Sequence, residues 1–370
     1  MRIGIDISQV IYEGTGVSRF TKGLIDSILT YDHKNKWVFF YSGFRRTIQK
    51  EIKEAIEMKN QTLIQYRIPP KLLAGLWIKI GYTVESIDKT LDWFITSDWA
   101  EIPSKHTKKA TIVHDLTYIR YPEFVEKNIR DVQTDRLKRV KRESMLIFAD
   151  SYSTKKDITR YLEVEGKRIA VNYPGVETVK PTQDQINSTL QKYNLKNKKF
   201  ILTVGKLEPR KNLPRLIQTF QLLNRKDNEL IIVGPKGWQQ FNNVAMKQSN
   251  NVRFLDLVSD LELSSLYSSC LIFVYPSLWE GFGYPIIEAM QLKAPVACSN
   301  VSSMKEIAKD AALFFNPLSV EEMYRSMNTL IQDKNLRNEL IKKGLQRNKI
   351  FYWRSYYNTM LEALENHTKI

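Results

Sequence analysis

The chain has 370 residues, 43% of them hydrophobic, and a net charge of +16. It can bury a real core and favours two domains, because one core rarely grows past about 250–300 residues. Its two cysteines, Cys270 and Cys298, make no disulfide framework and no zinc set, and no run reaches the ~18–20 apolar residues of a membrane span. With no apolar signal core in MRIGIDISQVIYEGTG, the expectation is a cytoplasmic protein. The charge is spread as +8 over residues 1–180 and +8 over the remainder, with no basic tail. It admits anionic partners such as nucleotides and lipid phosphates; nucleic acid is disfavoured, since no recognition motif or aromatic-basic repeat accompanies it.

In chain order, RIGIDI predicts a first strand. EGTGVSRFTKGL follows, with Gly14 and Gly16 opening a helix whose bare amides either cradle a diphosphate or form a plain turn. The spacing does not match GxGxxG, so a nicotinamide fingerprint is not supported. WVFFYS, LIQYRI, WFITS and ATIVHD read as further strands. Residues 69–84, PPKLLAGLWIKIGYTV, place Leu73, Leu76, Trp77 and Ile80 on one face beside Lys71 and Lys79, either as a core helix or as a contact for an anionic bilayer. ATIVHD ends in His114 and Asp115, and an imidazole at a strand's carboxyl end could be structural or could bond a sugar hydroxyl or a developing charge. DRLKRVKRE (135–143) reads as a solvated helix face, and MLIFADSYS closes the first series.

The polar stretch 181–197 separates a second series: KFILTVGKL, ELIIVG, VRFLD, LIFVYPS, APVACS and AALFFNP. After KFILTVG, the loop KLEPRKNLPRLI gathers Lys206, Arg210 and Lys211, which read either as a solvated loop or as three cations suited to a nucleotide diphosphate, with Asn212 as a candidate helix cap and Pro214 in the first turn. Gly234 and Gly237 in VGPKGW would allow either close approach of a base or a turn. In YPSLWEGFGYPIIEAM, Gly281 and Gly283 permit a tight turn and Pro285 opens a helix. Glu280 then lies in the loop, and Glu288 within or just after the opening turn. Carboxylates beside an anion site bind hydroxyls or cations, and phosphate with hydroxyls describes a sugar nucleotide.

Near-continuous apolar strands alternating with helices predict an α/β chain of two doubly wound, Rossmann-like parallel-sheet domains, facing across a cleft at their strands' carboxyl ends. The expected boundaries are 1–180, a linker at 181–197, 198–350, and a closing helix at 351–370 that packs back on the first domain.

Over nearly its whole length the chain resembles a family 4 (group 1) retaining glycosyltransferase of the GT-B fold. The resemblance is densest in VGKLEPRKNLPRLI, FVYPSLWEGFGYPIIEAM and APVACSNVSSMKEIAKDAALFFNP, and its specific signal is the E-x7-E pair in its glycine-proline frame. Members with the HDL and EPRKN wording are similar to mannosyltransferases, which implies a GDP-mannose donor and a glycan or lipid-linked acceptor in cell-surface polysaccharide synthesis, at the inner face of the plasma membrane when the acceptor is lipid-linked. The resemblance implies Glu288 on the donor ribose, Glu280 near O3 or O4 of the sugar, and Arg210, Lys211 and Lys206 on the diphosphate. It also implies Gly16 offering its amide to phosphate, His114 holding the sugar, and the amides around Phe282 and Gly283 completing the grip. Lys293 stands where the family has glycine, and Pro174 where it has asparagine. With no Asp-x-Asp motif, Lys211 and Arg210 supply the charge a divalent ion supplies elsewhere, so no metal and no cofactor is expected. Front-face attack, with the leaving phosphate accepting the acceptor's proton, accounts for retention without a covalent carboxylate. A GT-B epimerase, needing no acceptor, and a non-enzymatic nucleic-acid or polysaccharide-binding protein remain the alternatives.

Overall fold

The computed structural model describes every residue except 13, 69–80, 99–100, 197, 226, 236–250 and 369–370. The face of residues 69–84 and Gly237 therefore lie outside or largely outside the described residues. The chain divides into two compact units, Met1–Gly175 with Phe351–Ile370, and Val176–Ile350.

The first unit contains seven parallel strands, β1 (Arg2–Asp6), β2 (Lys36–Ser42), β3 (Thr62–Tyr66), β4 (Trp93–Ser97), β5 (Lys108–Val113), β6 (Leu146–Ala149) and β7 (Ile169–Val171), in the order β3-β2-β1-β4-β5-β6-β7. The second contains six, β8 (Lys199–Val204), β9 (Asn228–Val233), β10 (Val252–Leu255), β11 (Ile272–Tyr275), β12 (Val296–Ser299) and β13 (Ala312–Phe315), in the order β10-β9-β8-β11-β12-β13. All twelve strands expected from the sequence are present. β7 is additional: three residues after the turn Gly166–Arg168 carry too short a pattern to register.

The strand order of both sheets reverses in the same way. β1 pairs with β2 on one side and β4 on the other, and β8 pairs with β9 and β11. The switch point of each sheet thus lies between strands whose following loops diverge to opposite faces, which is where open α/β sheets bind ligands. The strands are apolar on both faces, as covered parallel sheets require; Phe94, Ile95, Ile201 and Phe273 are fully buried.

The final helix, Trp353–Thr368, belongs to the first unit. Trp353, Tyr356, Met360 and Leu364 join Phe20, Leu24, Trp93 and Phe148 in one core, and Trp93 Nε1 donates to Thr368 Oγ1 at 2.9 Å. The stretch 181–197, expected as a linker, contributes the helix Gln183–Lys192 to the second unit instead. Thr182 and Gln185 form a capping box there, a local signal that outweighs the segment's polarity. DRLKRVKRE also departs from a purely solvated face. Within the helix Lys127–Glu143, Arg136 is buried and donates to Thr111 Oγ1 (3.0 Å) and the Ile112 carbonyl (2.8 Å).

Candidate active site

The second unit's switch point is flanked by the loop after β8, which carries Lys206, Arg210 and Lys211, and the loop after β11, which carries Glu280, Phe282 and Gly283. The fold needs glycine where these turns are tightest. A Cβ on Gly234 would lie 2.2 Å from the Gly205 carbonyl oxygen, so the glycine at the end of β9 serves close packing of two strand ends. Gly283 has φ 105° and precedes the helix Tyr284–Gln291, with Pro285 in its first turn. Ser303 Oγ donates to the carbonyls of Glu280 (2.9 Å) and Phe282 (2.7 Å), and Glu280 N donates to Ser302 Oγ (3.0 Å), which fixes the loop.

Glu280 is the hub. Its Oε2 receives Arg210 Nη1 at 2.7 Å, and its Oε1 receives Lys211 Nζ at 2.7 Å. Lys211 Nζ also donates to Tyr275 Oη at 2.8 Å and sits 5.0 Å from that ring's centre. Arg210 Nη1 further donates to the Trp279 carbonyl at 2.7 Å. Burial would raise the Glu280 carboxyl, but the Arg210 and Lys211 charges outweigh it and hold its pKa down to about 2. Burial lowers Lys211, reinforced by Arg210 and opposed by Glu280. Both Glu280 oxygens are thus engaged with cations, where the sequence suggested hydroxyls or cations.

Lys206 stands apart from this cluster. Its Nζ lies 3.1 Å from Glu208 Oε1, half exposed, and Glu208 links it to Arg210 at 3.8 Å. Glu288 lies in the second turn of its helix, buried, with Tyr267 Oη donating to its Oε2 at 3.2 Å. Asn212 is not a side-chain cap. It adopts φ 56°, and its Nδ2 ties two loops by donating to the carbonyls of Pro276 (3.1 Å) and Pro317 (2.7 Å). Lys293, where the resemblance expects glycine, has φ 62°, the left-handed conformation that glycine adopts at least cost.

In the first unit, Gly16 begins the helix Gly16–Tyr31, capped by Thr15, whose hydroxyl accepts from Ser18 N at 3.1 Å. A Cβ on Gly14 or Gly16 would meet no described atom within 4 Å, and Gly14 has φ 79°, the left-handed conformation. His114 follows β5. Its ring packs edge-on against Phe20 of that helix, centroids 4.6 Å apart, and its Nδ1 lies 2.7 Å from Asp150 Oδ2. Burial lowers the imidazole pKa, but the Asp150 carboxylate outweighs burial and raises it to about 9. Sequence reasoning misses Asp150, Tyr267 and Tyr275. Each lies at or beside an element that the sequence does reveal, yet nothing local in ADSYS, SLYSSC or FVYPS shows what the side chain touches.

The profile of the family described as Glycosyl transferases group 1 matches residues 185–347. O-antigen chain mannosyltransferase B of Escherichia coli is 30% identical over 271 residues, covering 71% of this chain and 71% of that protein. The serotype-specific mannosyltransferase WbdA of E. coli is 28% identical over 315 residues, 80% of this chain but only 38% of that longer protein. Among solved structures, HepE of Anabaena in complex with UDP and glucose superposes with a TM-score of 0.72 at 17% identity, covering 99% of this chain and all of that one. The sequence relationship and the fold agree: this chain belongs to the group 1 glycosyl transferases and has the two-domain GT-B fold.

Proposed function

We propose that this glycosyltransferase moves a hexose, mannose as the first reading, from a nucleoside diphosphate sugar to a glycan or lipid-linked acceptor in cell-surface polysaccharide synthesis, with retention and without a metal. The observation that carries the reading is the Arg210–Glu280–Lys211 cluster astride the second sheet's switch point. Two partly buried cations held by one carboxylate are a preformed receptor for a diphosphate. Glu280 is their counter-ion in the structure. Donor binding would transfer the cations to the diphosphate and free Glu280 for the sugar hydroxyls near O3 or O4.

Arg210 and Lys211 then stabilise the departing diphosphate as the C1–O bond breaks. The acceptor oxygen bonds C1 from the same face, and its proton passes to the leaving phosphate. Glu288 serves the donor ribose, Lys206 adds charge at the rim, Gly16 offers an amide to phosphate, and the Phe282–Gly283 amides complete the contact. Mannose is favoured by the two E. coli relatives, both mannosyltransferases. The Anabaena protein, by contrast, was solved with UDP and glucose, so the base is the open variable. Among the described residues no helix is long and apolar enough to cross a membrane, and a lipid-linked acceptor would require the protein to work at the inner membrane face.

A thermal-shift panel of GDP, UDP, ADP and dTDP sugars tests the donor, because a ligand bound only by the native state raises the melting temperature. The largest shift is expected with GDP-mannose; no shift with any nucleotide sugar would sink the transferase assignment of this site. Turnover is expected to survive EDTA, and loss restored by magnesium would overturn the metal-free mechanism.

A further inference from the structure

His114 is one of four histidines, and its ring is held from three directions. Val113 pairs in register with Ala149, so His114 and Asp150 emerge side by side from adjacent strands. Nδ1 meets Asp150 Oδ2 at 2.7 Å, Phe20 flanks the ring, and Thr154 Oγ1 donates to the His114 carbonyl at 3.2 Å. The Asp150 side chain is 3% exposed and that of His114 17%. Asp150 Oδ1 is buried with no hydrogen-bond partner among the described residues, so its charge is directed at the imidazole. Nε2 lies 3.4 Å from Ser97 Oγ, at the end of the neighbouring strand β4.

We propose that Asp150 is a positioning residue for His114. Bonded to Nδ1, it fixes the ring, whose Nε2 lies beside Ser97 Oγ, and supports the protonated form. His114 then acts toward the transferred sugar as a cationic hydrogen-bond donor and not as a proton acceptor. The proposal rests on the transferase reading only for the identity of what Nε2 meets. It separates two chemistries the residue type leaves open, since a neutral imidazole with a free Nε2 lone pair would be a base and an imidazolium cannot be.

The charged groups facing the pair make the assignment specific. Asp98 after β4 and Asp115, next to His114 after β5, add negative potential, and Arg136 from the helix Lys127–Glu143 opposes them. Tyr356 of the final helix faces Asp150 and stays a neutral phenol, because burial and that carboxylate both push its ionisation upward. Phe20 contributes no charge. Asp150 is therefore the group whose neutralisation changes the balance, with burial left to drive the ring neutral.

Nitrogen-detected NMR of the imidazoles tests this directly, with only His33, His106, His114 and His367 to resolve and H114Q to identify the signal. Wild-type His114 is expected to stay doubly protonated through neutral pH and to lose its proton near pH 9. In D150N it is expected to be neutral already at pH 7, and D150E should restore part of the shift. In steady-state donor turnover, the alkaline fall in kcat is expected to move down by about two pH units in D150N, a change that simple loss of packing would not produce. A neutral wild-type His114 at pH 7 overturns the proposal without any variant, so a misfolded D150N does not protect it. An identical titration or an identical pH–rate profile in wild type and D150N overturns it as well. If the titrations behave as expected but no sugar nucleotide is turned over, the pairing stands and the transferase reading falls.

Discussion

Lys211 and Glu280 show how burial makes single charges decisive. Each is nearly enclosed, and each has its charged partner at 2.7 Å. Lys211→Ala would remove one of the two cations proposed to meet the leaving diphosphate. Loss of one such preorganised charge-stabilising donor costs on the order of 10²–10³ in rate. Turnover of K211A within a few-fold of wild type, measured by release of nucleoside diphosphate, would remove Lys211 from the mechanism. The same contacts set a stability profile. Glu280 is depressed from 4.5 to about 2, so its contribution is present above pH 4.5 and is lost as pH falls toward 2. His114 is raised from 6.5 to about 9, so its contribution is full below pH 6.5 and is lost as pH rises through 9. Calorimetry should find the wild-type advantage over E280Q shrinking on acidification, and that over H114Q shrinking above neutrality. Differences constant across pH would show that neither pair is ionic.

Helix packing offers a test where local propensity and tertiary contact disagree. Gly23 lies inside the helix Gly16–Tyr31, where glycine is normally worse than alanine by roughly 0.5–1 kcal/mol. Here a Cβ would lie 2.1 Å from Trp353 Cζ2, and one on Gly175 would lie 2.4 Å from Trp353 Cγ. The indole ring of the final helix is thus seated on two bare backbones. Gly23→Ala should gain the propensity and lose more to overpacking, which typically costs about 1–3 kcal/mol. The expected sum is net destabilisation of the first unit, read as a lower unfolding midpoint; a stabilised variant would mean that Trp353 does not occupy this seat. Elsewhere local signals prevail, as in the Thr182–Gln185 capping box that makes a helix of a polar stretch.

The chain returns at its end to the unit in which it began. The helix Trp353–Thr368 buries Trp353, Tyr356, Tyr357, Met360 and Leu364 in the first unit's core, so this unit is discontinuous in sequence. Removing everything after Ile350 would strip several large side chains, each worth roughly 2–5 kcal/mol when truncated, from a domain whose whole stability is about 5–15 kcal/mol. The truncated protein is expected to lose the first unit's cooperative transition and expose Met1–Gly175 to protease, while Val176–Ile350 stays protected. Two intact transitions after truncation would refute a structural role for the last helix.

The apolar strand runs and their helical partners were sufficient for twelve of the strands, because buried parallel strands carry an almost unbroken hydrophobic pattern and their loops carry glycine, proline and charge. The E-x7-E frame and the EPRKN loop were legible for the same local reason: a tight turn and a cation-rich strand end need particular residue types at fixed spacing. What the sequence could not contain is pairing between distant positions. That Glu280 grips Arg210 and Lys211, that Asp150 rather than a sequence neighbour sets the charge of His114, and that Trp353 closes over Gly23 and Gly175 all depend on which strands lie side by side. Those contacts follow from strand order and burial, and electrostatic strength depends on both, so only the folded chain decides them.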